Sequence, residues 1–167
     1  ILPEGFENPF LDDSKKLSEP RRLELDALIK DRALAYAISH VSPGRIDQIN
    51  ILNASILAMH RALDRLPRRP AAIAVDGNRF KPFGDIPHHC HIKGDGRFLN
   101  NAAASILAKT ARDALMKDLH REFPQSHWHK NMGYPTRAHR EALREFGPTP
   151  YHRKSFRLLG EQLKISF

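Results

Sequence analysis

The sequence AAIAVDGN at residues 71–78 decides how the fold is interpreted. Its first five residues are apolar, which predicts a short buried strand of the kind found in parallel sheets, and DGN predicts a turn at its end. The sequence HHCHIKGD at residues 88–95 has a similar arrangement, with a second strand over His88–Ile92 followed by Lys-Gly-Asp. Asp76 and Asp95 are therefore predicted to lie just past the ends of two strands, at one rim of a sheet.

Helical segments are predicted on both sides of these strands, from apolar residues spaced three and four apart and from capping residues. They are a helix over 19–31 with Ser18 as cap and Pro20 in its first turn, a helix from Ile49 to Leu66 that Pro67 stops, a long alanine-rich helix after Leu99, and a last helix that starts after Thr136 and stops at Gly147.

A third strand is predicted over residues 33–41, ALAYAISHV, where apolar side chains alternate in part. Helices and strands alternate, so the fold class is α/β, a mixed sheet flanked by helices. Three strands are few for this much helix, and Ile1-Leu2 resembles the tail of a strand. We therefore expect one or more N-terminal strands to be missing from the chain. No linker interrupts it, which predicts a single domain over residues 1–167.

The charge balance favours a polyanionic partner. Lysine and arginine exceed aspartate and glutamate by 27 − 19 = 8, and the pI is about 9.9. Nucleic acid is the leading partner, although charge alone fits a generic basic protein equally well. The single cysteine, Cys90, excludes an internal disulfide, and no apolar run approaches the roughly 20 residues of a membrane span. We expect a cytoplasmic protein without a membrane partner.

Asp76 and Asp95 are the candidate metal ligands. If their strands are neighbours, the two carboxylates would repel each other without a cation, and oxygen ligands favour Mg²⁺ or Mn²⁺. Such an ion can neutralise a scissile phosphate and activate a water molecule. The alternative is that Asp-Gly and Gly-Asp are ordinary turn residues, which the two dipeptides alone would favour.

Two further segments could contact nucleic acid. DSKKLS at residues 13–18 combines a hydroxyl and two cations at a helix start, as a phosphate site would, although a solvated turn with a Ser18 cap explains it equally. HWHKNMGY at residues 127–134 interleaves Trp128 and Tyr134 with cations, as in a nucleic-acid groove, but Trp128 is equally plausible as core.

Seven segments in order resemble ribonuclease HII and span nearly the whole chain. They are DSKKLS (13–18), IDQINILNASILAM (46–59), VDGN (75–78), KGD (93–95), AAASILAKTARD (102–113), GYPTRAH (133–139) and HRKSF (152–156). The resemblance implies a ribonuclease H-like fold and an endoribonuclease that uses four carboxylates with Mg²⁺ or Mn²⁺. Such an enzyme hydrolyses RNA in RNA–DNA hybrids and cuts on the 5′ side of single ribonucleotides embedded in DNA. We expect it to act as a monomer.

The resemblance also implies roles for particular residues. Asp76 and Asp95 would be catalytic metal ligands, and Ser14, Lys15 and Lys93 would hold phosphates. Tyr134 would stack on the ribose at the DNA–RNA junction and help sense its 2′-hydroxyl, the group that distinguishes RNA from DNA.

The chain departs from the family pattern at its start. The other two family carboxylates lie in a DE-x-GRG segment, which does not occur here. The chain as given therefore holds half of the metal site, and we expect little or no cleavage from it. SHWHKNMGY at residues 126–134 also lacks the glycine and lysines common before Gly-Tyr. The alternatives are another ribonuclease H-like nuclease and a non-catalytic nucleic-acid-binding module.

Overall fold

The computed structural model describes residues 1–11, 17–94 and 96–159. The helices are α1 (Glu19–Arg32), α2 (Pro43–Asp64), α3 (Leu99–Glu122), α4 (Trp128–Asn131) and α5 (Arg137–Phe146), with a 3₁₀ turn at Pro124–Ser126, and the strands are β1 (Ile73–Asp76) and β2 (His88–His91). The chain forms two compact units. The first comprises residues 1–39 and 56–111, and the second comprises residues 40–55 and 112–167.

The first unit contains the predicted parallel strands. β1 and β2 pair in parallel from Ile73↔His88 to Asp76↔His91, so their carboxyl ends lie at the same edge, as predicted. Burial in β1 alternates, with Ile73 and Val75 buried, so only one face of the strand is covered and the expectation of a fully buried strand was wrong. That face packs with Ile86 and, more loosely, with Met59, Leu63, Phe80 and Phe83.

A second core cluster in this unit joins α1 to α3. Small and large side chains of the two helices pack together in this cluster. The buried members are Leu2, Leu11, Leu25, Ile29, Ala102, Ala103, Ile106 and Leu107. The long helix predicted from the alanine-rich pattern is confirmed, but it is buried on one side only, since Ala104, Ala108 and Leu115 are exposed.

The strand predicted over residues 33–41 is absent, and in the described part of the chain the sheet has two strands. Ile1 holds the backbone of this segment near the segment's start. The amides of Leu34 and Ala35 donate to the Ile1 carbonyl at 2.9 and 3.4 Å, and the Ile1 ammonium donates to the Ala35 carbonyl at 2.7 Å. A strand needs a partner along its length, and Ile1 supplies one only at this point.

The helix limits confirm most of the capping predictions. Thr136 caps α5 by accepting from the His139 amide at 3.3 Å. Ser18 occupies the cap position of α1, but its side chain makes no capping hydrogen bond, so that part of the prediction was wrong. Two helical segments make up α2, and they meet at Asn50, whose φ of 64° is not helical. The Asn53 amide donates to Asn50 Oδ1 at 3.0 Å, so the second segment starts close to the predicted Ile49.

Trp128 forms the centre of the second unit. It is 2% exposed, and its ring contacts those of Phe123, His139, Tyr151 and His152. Trp128 is therefore core, and the groove interpretation of this residue was wrong. Among the helices of the described residues, none is both long and apolar enough to span a membrane.

Candidate active site

Asp76 is the last residue of β1, and its carboxylate is exposed. The Gly94 amide donates to Asp76 Oδ1 at 2.8 Å. One position further, the Gly77 amide donates to the His91 carbonyl at 2.9 Å, which extends the strand pairing to the start of the turn. The DGN and KGD motifs, 18 residues apart in sequence, are thus joined by a direct hydrogen bond.

Gly94 is buried, and a side chain at its position would force Asn101 to move. A Cβ atom there would lie 2.6 Å from Asn101 Nδ2 and 3.5 Å from the Cα atom of Asp76. The preceding residue, Lys93, is exposed and has the left-handed φ of 59°, which turns the chain sharply after β2. The close approach of Gly94 therefore brings the Lys93-Gly94 turn against the end of β1. Asp95 lies outside the described residues.

Asn101 is a site residue that sequence reasoning missed. Its side chain is buried close to Gly94, and its Nδ2 atom has no hydrogen-bond partner among the described residues. A buried amide without a partner is uncommon in proteins, and a catalytic role or a bound ion is among the reasons for one. The available signal was the polar pair Asn100-Asn101 at the start of the apolar helix α3.

A cavity of about 560 Å³ within the first unit borders Asp76. Its walls include the extended residues 35–39, strand β1 and apolar side chains such as Met59 and Leu107. Asp76 and Asn101 contribute polar groups to the lining. Charges that border such an apolar space interact more strongly than charges in open water.

The donor chemistry at the end of β1 fits a hard divalent cation. Among the described residues, the hydrogen bond to Asp76 engages Oδ1, and Oδ2 remains for a cation. Carboxylate oxygens are the ligands that Mg²⁺ and Mn²⁺ prefer. The described residues contain no cluster of three or more His, Cys, Asp or Glu side chains, so Asp76 is the one predicted ligand whose position the described chain gives.

Tyr134 lies on the surface of the second unit, with 60% of its area exposed. Its amide donates to the Asn131 carbonyl at 2.8 Å, and its carbonyl accepts from the Thr136 amide at 2.8 Å. Gly133 before it has φ of 80°, a left-handed conformation that suits glycine. A tight backbone turn therefore presents the Tyr134 ring at the surface.

Basic residues cluster near this turn. Arg112 Nη2 donates to the Met132 carbonyl at 3.3 Å, and burial together with the nearby charge of Arg112 lowers the pKa of Arg153. Arg153 belongs to the HRKSF segment, which Asp47 anchors by accepting from the amides of Lys154 and Ser155 at 2.8 and 2.9 Å. The side-chain and backbone hydrogen bonds of Ser155 lower the pKa of Asp47.

Of the other sequence-predicted residues, Ser14 and Lys15 lie outside the described residues, as Asp95 does. Lys93 adjoins Gly94 in the first unit. Tyr134 belongs to the second unit. The structure therefore brings the Asp76 and Lys93-Gly94 motifs together.

The fold is of the ribonuclease H class. The crystal structure of the ribonuclease H2 from Pyrococcus horikoshii OT3 matches with a TM-score of 0.73, covering 89% of this chain and 78% of that chain. At 23% sequence identity, this likeness establishes the fold alone.

The sequence comparisons define the family. The family model of ribonuclease HII matches residues 4–159. The ribonuclease HII of Christiangramia forsetii is 58% identical over 167 residues, and that of Parabacteroides distasonis is 57% identical over the same length. Each alignment covers 100% of this chain and 84% of the relative. The chain belongs to the ribonuclease HII family, a family of nucleases.

Proposed function

We propose that this chain carries the greater part of an endoribonuclease that hydrolyses the RNA strand of RNA–DNA hybrids and cuts 5′ of single ribonucleotides embedded in DNA. The observation that supports this most is the hydrogen bond from the Gly94 amide to Asp76 Oδ1. It joins the two carboxylate-bearing motifs at one edge of a parallel strand pair, where ligands of α/β sheets bind.

The metal ligands in this proposal are Asp76 and Asp95, which directly follows Gly94 in the sequence. Mg²⁺ or Mn²⁺ bound there would supply charge neutralisation at the scissile phosphate and activation of a water molecule. The contribution of the chain is to orient Asp76, because the Gly94 N–H holds Oδ1 and leaves Oδ2 for the ion. Both residues act as catalytic ligands in this scheme.

Substrate contacts are proposed for four residues. Ser14, Lys15 and Lys93 hold phosphates of the duplex, and the net charge of +8 attracts it over longer distances. Tyr134 stacks on the ribose at the DNA–RNA junction and senses its 2′-hydroxyl. Its exposed ring and hydrogen-bonded backbone support this role, because a stacking residue must be both accessible and held in place.

The remaining two carboxylates are proposed to belong to a DE-x-GRG segment outside the given sequence. With two of four ligands, the chain as given cleaves little or nothing, because two carboxylates hold metals weakly. The completed enzyme is proposed to act as a monomer in the cytoplasm.

The test compares the chain as given with a form extended by a DE-x-GRG strand, in Mn²⁺, on a duplex with one ribonucleotide. We expect the extended form to cut 5′ of the ribonucleotide and Asp76→Asn to abolish cutting. Asp85→Asn is the matched control, since Asp85 is an exposed aspartate that pairs with Arg69. An inert extended form, or normal cutting by Asp76→Asn, would refute the proposal.

The same experiment separates two other functions. Another ribonuclease H-like nuclease would cut without needing Tyr134, so Tyr134→Ala would leave its cleavage pattern unchanged. A non-catalytic binding module, favoured by the net charge, would bind the duplex in a salt-sensitive way and show no turnover in the extended form.

A further inference from the structure

A buried chain of hydrogen bonds lies behind the Tyr134 turn in the second unit. The Thr149 amide donates to His152 Nδ1 at 3.0 Å. The Nε2 atoms of His152 and His139 are 3.3 Å apart, and His139 Nδ1 lies 3.2 Å from the Ser126 carbonyl oxygen. We call His152, His139 and the Ser126 carbonyl the histidine relay. His139 and His152 are 6% and 8% exposed.

The positions of the hydrogens in the relay follow from its two ends. A backbone amide can only donate, so His152 Nδ1 must accept and its hydrogen lies on Nε2. A carbonyl oxygen can only accept, so His139 carries its hydrogen on Nδ1 and accepts at Nε2. Thr149 Oγ1 also lies 3.0 Å from His152 Nδ1, and its hydroxyl can donate there, so the arrangement with both rings neutral satisfies these contacts.

Asn131 connects the relay to the Tyr134 turn. Its Nδ2 donates to the Ser126 carbonyl at 2.8 Å, the same oxygen that His139 uses. Its Oδ1 accepts from the Gly133 amide at 2.8 Å, and its own carbonyl accepts from the Tyr134 amide at 2.8 Å. Asn131 is 7% exposed, and its bond to the Ser126 carbonyl is buried. Both amides of the Gly133-Tyr134 turn are thus fixed by one residue.

We propose that Asn131, His139 and His152 are positioning residues that hold the Gly133-Tyr134 turn in the orientation needed to recognise a ribonucleotide. The inference rests on the proposed function of Tyr134 and adds what determines its geometry. None of the three touches the substrate. They act through the backbone that carries the Tyr134 ring.

The test uses Asn131→Asp in the chain as given. This change keeps Oδ1 as an acceptor for the Gly133 amide but removes the Nδ2 donor, so the turn loses its connection to Ser126. We expect faster hydrogen exchange at the Gly133 and Tyr134 amides, at temperatures well below unfolding. Unchanged protection of both amides would overturn the proposal. His40→Gln, at an exposed histidine of the same unit, is the control and should leave exchange unaltered.

The functional arm measures binding to a duplex with one ribonucleotide relative to an all-DNA duplex of the same sequence. Asn131→Asp and Tyr134→Ala should each reduce this preference by roughly tenfold, the order of one lost stacking contact. In the double variant, Asn131→Asp should add nothing, because the residue it positions is already gone. Additive losses would indicate a merely structural role and refute the inference.

The outcomes separate the two proposals. If the unmutated chain shows no preference, the role of Tyr134 fails and the positioning role in recognition fails with it. If Tyr134→Ala abolishes a preference that Asn131→Asp preserves, the proposed function stands and the inference alone is refuted.

Discussion

Substituting Gly94 by alanine should damage the candidate active site more than its size suggests. The added Cβ atom would lie 2.6 Å from Asn101 Nδ2, and real Cβ atoms essentially never approach another heavy atom within 3.0 Å. It would also lie 3.5 Å from the Cα atom of Asp76, in ordinary van der Waals contact with β1. Either Asn101 or the KGD turn must move.

The loss in free energy of unfolding can be worked out from these contacts. Forcing a methyl group into a packed site costs about 1–3 kcal/mol. If the turn moves, the bond from the Gly94 amide to Asp76 is lost as well, and for an exposed carboxylate this adds about 1 kcal/mol. A shift of Asn101, a side chain, relieves part of the overlap. We expect a total of about 2 kcal/mol, or a melting temperature lower by about 4–8 °C.

Urea unfolding measures the stability change, and cleavage by the DE-x-GRG-extended form measures the effect on Asp76. Gly96→Ala is the matched control, two residues away, where the nearest atom to an added Cβ is the Lys93 carbonyl oxygen at 4.0 Å. The control should stay within about 0.5 kcal/mol of the unmutated chain. If Gly94→Ala is as stable and as active as Gly96→Ala, the close packing of the KGD turn against Asp76 is refuted.

Three other predictions concern the remaining parts of the site. Asp76→Asn should reduce cleavage by the extended form at least about 100-fold, because an amide oxygen binds cations weakly. Urea unfolding should stay unchanged, because the amide oxygen still accepts from the Gly94 amide. A loss of stability that accompanies the loss of cleavage would contradict this prediction. Tyr134→Ala should change the unfolding midpoint little, since the residue is 60% exposed, and its main effect should be a lower ribonucleotide preference. A large destabilisation would count against a surface role. Burial lowers the pKa of His139 and His152, and nearby His127 lowers that of His139 further. Below about pH 6.5 the unfolded chain binds protons at these histidines that the folded chain does not, so the free energy of unfolding should be highest above that pH and fall below it. His139→Gln should weaken this pH dependence of stability. If the variant and the unmutated chain show the same pH dependence, the lowered pKa of His139 is refuted.

The sequence predicted the parts of the fold that local pattern determines. The apolar run before Asp76 and the short segment before Lys93 predicted both strands, the structure pairs them in parallel, and Thr136 correctly marked the start of α5. The prediction of a strand over residues 33–41 was wrong because apolar alternation does not show whether a neighbouring strand is present. Pairing is a long-range property, and Ile1 provides it only at the start of this segment.

The candidate site was predictable only where chemistry is visible in the residue type. Aspartates after short strands drew attention to Asp76, whereas Asn101 and Asn131 are common polar residues whose roles depend on burial. The same limit applied to His139 and His152, which are 13 residues apart and become partners only in the folded chain. A tryptophan among cations suggested a surface groove, yet Trp128 is 2% exposed.

The acceptor at the end of the histidine relay, which Asn131 shares, is a main-chain atom. Both Asn131 and His139 donate to the carbonyl of Ser126, and every amino acid placed at position 126 would retain that oxygen. Alanine scanning therefore cannot test the role of this carbonyl oxygen, and only replacement of the peptide unit by chemical synthesis could remove it. Over evolutionary time the acceptor is inherited with the backbone, so the relay can be lost only through its donors or through a change in the path of the chain.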